Sequence, residues 1–152
     1  MRHVAAPAIA LALIFAAAQM VPIERSSPRA EGDLAAPPDV QRIIRAACYD
    51  CHSDRTRWPW YSRVAPVSWL VAHHVEAGRR RLNFSAWADY ASDPGTMAHK
   101  LEQIKSSIAN GTMAPRYYRM LHPEARLSGR DRDAIAAWIT RETAAAEKLP
   151  VR

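Results

Sequence analysis

The run Cys48-Tyr49-Asp50-Cys51-His52 places two thiols and an imidazole within one short stretch of chain. In a Cys-x-x-Cys-His motif each thiol can add to one vinyl group of a porphyrin, and the histidine that follows then lies under the iron as its proximal ligand. The expected chemistry is covalent attachment of haem c, with Cys48, Cys51 and His52 binding the cofactor and His52 ligating its metal. The chain has only two cysteines, which excludes a disulfide framework. A thioredoxin-like redox pair would open a helix in a strand-helix-strand context, and a zinc site would need two more ligands at recognisable spacing. The sequence carries neither pattern, so a haem-free thiol-disulfide oxidoreductase is the weakest functional reading.

What a bound haem can do depends on its sixth ligand. A strong one favours electron transfer, whereas an open position admits small ligands or peroxide. The candidates are Met97, Met113, Met120, His73, His74, His99 and His122. Met113 is expected to serve as cofactor-binding residue and metal ligand, because it lies in a loop two residues before Pro115, where a stiff turn can aim a thioether at the iron. Met97 reads as helix core, Met120 as packing beside Leu121, and His99 as an exposed helix residue. His74 is the competitor, although an imidazole on an apolar stripe is more often a core histidine with a satisfied hydrogen bond.

Helices must position these groups. Val40, Ile43, Ile44 and Ala47 have helical spacing over 39–47, with Asp39 as N-cap, and the helix runs straight into Cys48. A second helix is expected from Pro66 to near Gly78, with Val67, Leu70, Val71, His74 and Val75 on its inward face. A third opens at Asp93-Pro94, repeats Met97, Leu101, Ile104 and Ile108, and closes at Asn110-Gly111. Ser128 caps the last, with Asp131 and Asp133 in its first turn and Ile135, Trp138 and Ile139 inside. No alternating strand pattern competes, and the fold class is all-α.

At 152 residues, 49% hydrophobic and 24% charged, the chain suits one globular domain with an appendage. Its net charge of +6 fits an acidic protein partner or an anionic surface. No nucleic-acid-binding signature accompanies the Arg79-Arg80-Arg81 run, which reads as a solvated helix end.

Residues 4–21 are almost unbroken apolar sequence after Met1-Arg2-His3. Two readings stay open: a signal peptide cleaved after Ala18 of the Ala16-Ala17-Ala18 triplet, or a retained anchor in the inner membrane. Both deliver the domain to the periplasm. Positions 22–38 are proline-rich and read as a flexible linker, so the haem-binding domain is expected over 39–147.

Over residues 45–138 the sequence resembles the haem-binding domain family of bacterial monohaem c-type cytochrome-like proteins. The likeness rests on the Cys-x-x-Cys-His run, Trp58-Pro59-Trp60-Tyr61-Ser62, Ala65-Pro66-Val67-Ser68-Trp69, His74-Val75 with Gly78-Arg79, Leu82-Asn83-Phe84-Ser85 with Trp87, and Leu121-His122-Pro123-Glu124-Ala125. The resemblance implies haem c held through Cys48, Cys51 and His52, with the Gly111-x-Met113-x-Pro115 loop offering the methionine. Members often have Met-Pro-Pro where this chain has Met113-Ala114-Pro115, which implies a looser loop. Trp58, Trp60 and Tyr61 are expected either to shield haem from water or to fill core, and Arg79 either to pair with a propionate or to be an exposed helix end.

The resulting expectation is a cytochrome c-like electron carrier and not an enzyme, with His52 and Met113 as axial ligands and redox proteins, acidic ones favoured by charge, as partners. A haem-based ligand sensor or peroxidase-like module with a labile sixth ligand is the alternative.

Overall fold

The computed structural model describes residues 5–26 and 33–146; Arg2 of the export segment, positions 27–32 of the linker and Glu147 lie outside the described residues. Helices are the regular elements, and no strand occurs among the described residues, in agreement with the all-α expectation. In chain order they are α1 (Ala5–Gln19), α2 (Pro38–Ala47), α3 (Tyr49–His52), α4 (Val67–Arg81), α5 (Trp87–Ala91), α6 (Pro94–Ala109), α7 (Arg116–Leu121) and α8 (Gly129–Ala146), with 3-10 turns at Trp60–Arg63, Phe84–Ala86 and Pro123–Ala125.

Three helices begin and end much as their sequences dictate. In α2, Pro38 takes the first turn and Val40, Ile43, Ile44 and Ala47 are buried. Asp39 is not its N-cap, however; Pro37 holds that position, and Asp39 lies in the first turn, where its charge suits the dipole. In α6 the Asp93 carboxylate accepts the Thr96 N–H at 2.8 Å, Met97, Leu101 and Ile104 are buried, and Gly111 at φ 63 closes the end. At α8 the Ser128 hydroxyl accepts the Asp131 N–H at 3.2 Å while the Asp131 carboxylate accepts the Ser128 N–H at 2.9 Å, a reciprocal cap.

The inward face of α4 differs from the expected one. Ser68, Val75 and Gly78 are buried, whereas Val67 and Leu70 face solvent. Small side chains point inward here because α4 lies nearly in contact with the backbone of α3. The helix also continues past Gly78 to Arg81.

The core gathers α2, α5, α6 and α8. A row of rings runs through it: Tyr49 stacks on Phe84 at 5.4 Å, Phe84 on Trp87 at 5.9 Å, and Trp87 meets Trp138 at 5.6 Å. Packing starts ahead of Asp39, because Leu34, the one large aliphatic side chain in its stretch of the linker, is buried with 1% exposure. Asp33 fixes that segment by accepting hydrogen bonds from the Leu34 N–H, the Tyr49 hydroxyl and Arg45.

No residue of α1 is buried, and among the described residues no helix is long and apolar enough to cross a membrane.

Burial works to raise the Asp33 pKa, but the hydrogen bonds from Tyr49 and Arg45 outweigh it and hold the carboxyl below its ordinary value. Its stabilisation is therefore present above the unfolded carboxylate pKa of about 3.9 and is lost as pH falls through the folded value. Urea midpoints measured from neutral to strongly acidic pH should decline more steeply below about pH 4 in the wild type than in Asp33→Asn. Equal acid limbs in the two proteins would contradict this assignment.

Candidate functional site

The motif forms at a break between two helices. The Cys48 N–H still closes α2 onto the Ile44 carbonyl at 2.8 Å, but Cys48 itself, at φ −124, leaves the helical line. The chain then makes the single turn α3, in which the His52 N–H bonds the Cys48 carbonyl at 2.9 Å. A separation of three residues on such a turn sets Cys48 and Cys51 on one side. Ser53 stops the turn, its hydroxyl donating to the Tyr49 carbonyl at 2.8 Å.

Cys48, Cys51 and His52 line one cavity of about 660 Å³, a size ordinary for cofactor sites. Its walls include Ile44, Leu82, Phe84, Ile104, Ile108 and Ile135, and Met113 lies on its rim with 37% exposure. The four residues expected from the sequence therefore border a common space. His74 borders it as well, its ring 5.4 Å from that of Tyr117 and its Nδ1 3.2 Å from the Tyr117 hydroxyl. His99 is an exposed residue of α6, as expected, but it too lines the cavity.

The donor set fits a covalently bound haem. His52 Nδ1 donates to the Leu82 carbonyl at 3.0 Å, which fixes the ring and leaves Nε2 as the nitrogen for a metal. Burial holds this imidazole below its usual pKa, against the opposing effect of the nearby carbonyls, which favours the neutral form that ligation requires. Burial pushes the Cys48 thiol up to about 12 and Cys51 to about 11, the Asp50 charge adding to the latter. Thiol-disulfide chemistry needs lowered thiol pKa values, so this pair is poorly disposed to it. Among the described residues, no group of three His, Cys, Asp or Glu side chains is arranged to hold a metal ion.

Several supports were not legible beforehand. In Leu82-Asn83-Phe84-Ser85, Leu82 orients His52, Phe84 lines the cavity, the Asn83 amide donates to Asp54 at 3.1 Å and the Ser85 hydroxyl accepts the Asp54 N–H at 3.0 Å. Arg79 is neither a free helix end nor a cavity residue. Its guanidinium donates to the Ser53 carbonyl at 2.9 Å and the Thr56 hydroxyl at 3.0 Å, clasping the loop after the motif. Arg81 is the arginine on the cavity wall. The expected shielding rings are also corrected: Phe84, Tyr117 and Tyr118 line the cavity, whereas Trp58, Trp60 and Tyr61 do not. Trp60 is 78% exposed, and Met120 and Leu121 are both exposed on α7.

Also on the cavity wall, buried Asp50 accepts from the Arg57 backbone N–H and guanidinium, both at 3.2 Å, and from the Tyr118 hydroxyl at 2.7 Å. Burial, reinforced by that carboxylate, raises the Tyr118 pKa. Tyr118 stacks on His122 at 4.1 Å, and His122 Nε2 meets the Tyr61 hydroxyl at 2.7 Å. Ala114 is buried with Ala47 and Ala125; this small-residue contact seats the Met113 loop against the end of α2.

Comparison with known proteins places the chain in a family. The haem-binding domain family matches residues 13–141. The cytochrome c peroxidase Ccp of Escherichia coli (strain K12) is 26% identical over 98 residues, which is 64% of this chain and 21% of that protein. The chain thus spans about a fifth of the length of that curated relative. No solved structure matches.

A Cβ at Gly78 would lie 2.3 Å from the Cys51 carbonyl oxygen. Gly78→Ala must therefore push α4 off α3, with an expected loss of roughly 1–3 kcal/mol in denaturant unfolding and reduced haem content of the isolated protein. Gly129→Ala, where a Cβ meets nothing within 4 Å, is the control and should retain both. Wild-type stability and haem content in the Gly78 variant would show that the approach is unimportant.

Proposed function

The chain belongs to the haem-binding domain family, and on that premise we propose that it carries one covalently attached haem c and transfers single electrons between redox proteins outside the inner membrane. The observation that carries this reading is the meeting of Cys48, Cys51, His52 and Met113 on one cavity. Cys48 and Cys51 would hold the haem covalently through its two vinyl groups, and His52 Nε2 and the Met113 thioether would ligate its iron. The bound iron supplies the redox chemistry, accepting and returning one electron. Phe84 and the isoleucines of the wall keep water from the ring, while the Leu82 carbonyl keeps His52 in register. His74 is the competing distal ligand: it borders the same cavity, and the Tyr117 hydroxyl engages its Nδ1 and leaves Nε2 open. A net charge of +6 favours acidic partners, with encounter weakening as salt rises.

The exposure of Met113 favours a second reading. A rim methionine that detaches would open the iron to a small gas or to peroxide, and the partial similarity to a cytochrome c peroxidase points the same way.

Two measurements test these readings. Cys48→Ala with Cys51→Ala should leave no haem that survives acid-acetone extraction or denaturing electrophoresis; unextractable haem in that double variant refutes the attachment. Met113→Ala should lower the reduction potential, abolish the weak far-red sulfur-to-iron band of the ferric protein and admit carbon monoxide. If those properties stay unchanged while His74→Ala turns the iron high-spin, the distal ligand is His74. Ready carbon monoxide binding by the wild type favours the sensing or peroxidase reading.

A further inference from the structure

Helix α1 is apolar on every side and exposed along its whole length, with Leu11, Leu13 and Ile14 each more than half exposed. A helix of that kind is stable where its whole circumference is covered, in a large core or in lipid. Its C-terminal end is not loose. The Gln19 side chain accepts the Ala65 N–H at 2.9 Å and donates to the Ala65 carbonyl at 3.4 Å. Just beyond, Arg25 donates to the Ser62 carbonyl and Arg79 to the Ser26 carbonyl. These bonds fix the base of α1 to the segment joining the Trp60–Arg63 turn to α4.

That same segment carries large apolar side chains that remain exposed. Trp60, Val64, Val67 and Leu70 are exposed within five residues of Ala65, and Met20 and Val21 are exposed on the α1 side of the clasp. Exposed Arg63 lies among them. Tryptophan, aliphatic side chains and arginine together are the composition of a surface at the boundary between headgroups and acyl chains. The length of α1 adds a constraint. Its residues rise about 22 Å, less than the roughly 30 Å of a hydrocarbon core, so burying it draws its clasped end down to the lipid surface.

We propose that the face formed by Trp60, Val64, Val67 and Leu70 seats on a phospholipid bilayer into which α1 is embedded. The domain is then held on the membrane in one orientation, without free travel on a tether. This depends on retention of α1 and not on the identity of the distal ligand or the redox role.

The full-length haem-loaded protein is reconstituted into vesicles of phosphatidylglycerol and a phosphatidylcholine carrying a diazirine on its acyl chain, then irradiated, and carbene adducts are mapped by mass spectrometry. Adducts are expected on α1 and also over residues 60–70, with none on the solvent face of α8. Trp60→Ser combined with Leu70→Ser should reduce adducts in that segment at least severalfold while those on α1 and the haem spectrum stay unchanged. Adducts confined to α1 would overturn the proposal. A membrane-purified protein whose first residue is Gln19 overturns it too, and leaves the haem assignment intact.

Discussion

The site depends on a side chain that is absent. At Gly78, α4 lies so close to α3 that a Cβ would overlap the Cys51 carbonyl, only 2.3 Å away. With the crossing that tight, Leu82, just past the end of α4, comes within hydrogen-bond reach of His52, and Arg79 reaches the loop that follows the motif. A wider crossing would separate both contacts at once. A rigid crossing stabilised by contact with backbone transmits small displacements without absorbing them, as densely packed interiors do.

A second group of contacts ties the motif to the opposite wall. Asp50, inside the Cys-x-x-Cys-His run, holds Arg57 and Tyr118, and Tyr118 in turn stacks on His122. The two walls of the cavity are thus joined through one buried carboxylate. Buried carboxylates are costly unless compensated, and the Arg57 and Tyr118 donors provide that compensation. The small Ala47, Ala114 and Ala125 side chains complete the junction by letting the Met113 loop approach α2.

The sequence made the helices and the motif legible for a simple reason: both are local. Met97, Leu101 and Ile104 repeat at helical spacing, and Asp93 and Gly111 mark the ends of their helix; the chemistry of Cys48, Cys51 and His52 is written in five consecutive positions. What stayed hidden is set by long-range contact. Nothing in the run from Val67 to Gly78 distinguishes an inward stripe of valine and leucine from an inward set of Ser68, Val75 and Gly78 until α3 is known to lie beside it. The same holds for Arg79, whose partners Ser53 and Thr56 are far off in sequence. The abundant tryptophans misled because ring size signals burial on average, whereas Trp60 is exposed. Leu34 was missed because a single apolar residue in a proline-rich stretch has no periodicity to reveal it.

Helix α4 has one end beside the clasp at Ala65 and the other against Cys51. Between Val67 and Gly78 it is uninterrupted and rises about 16 Å, so it acts as a ruler between the base of α1 and the thiols. A spacer of fixed length sets how high above its footing the cavity is carried. On the proposed redox role, a donor or acceptor would have to present its own redox centre at a matching height, and lengthening α4 by one turn would shift that height by about 5 Å.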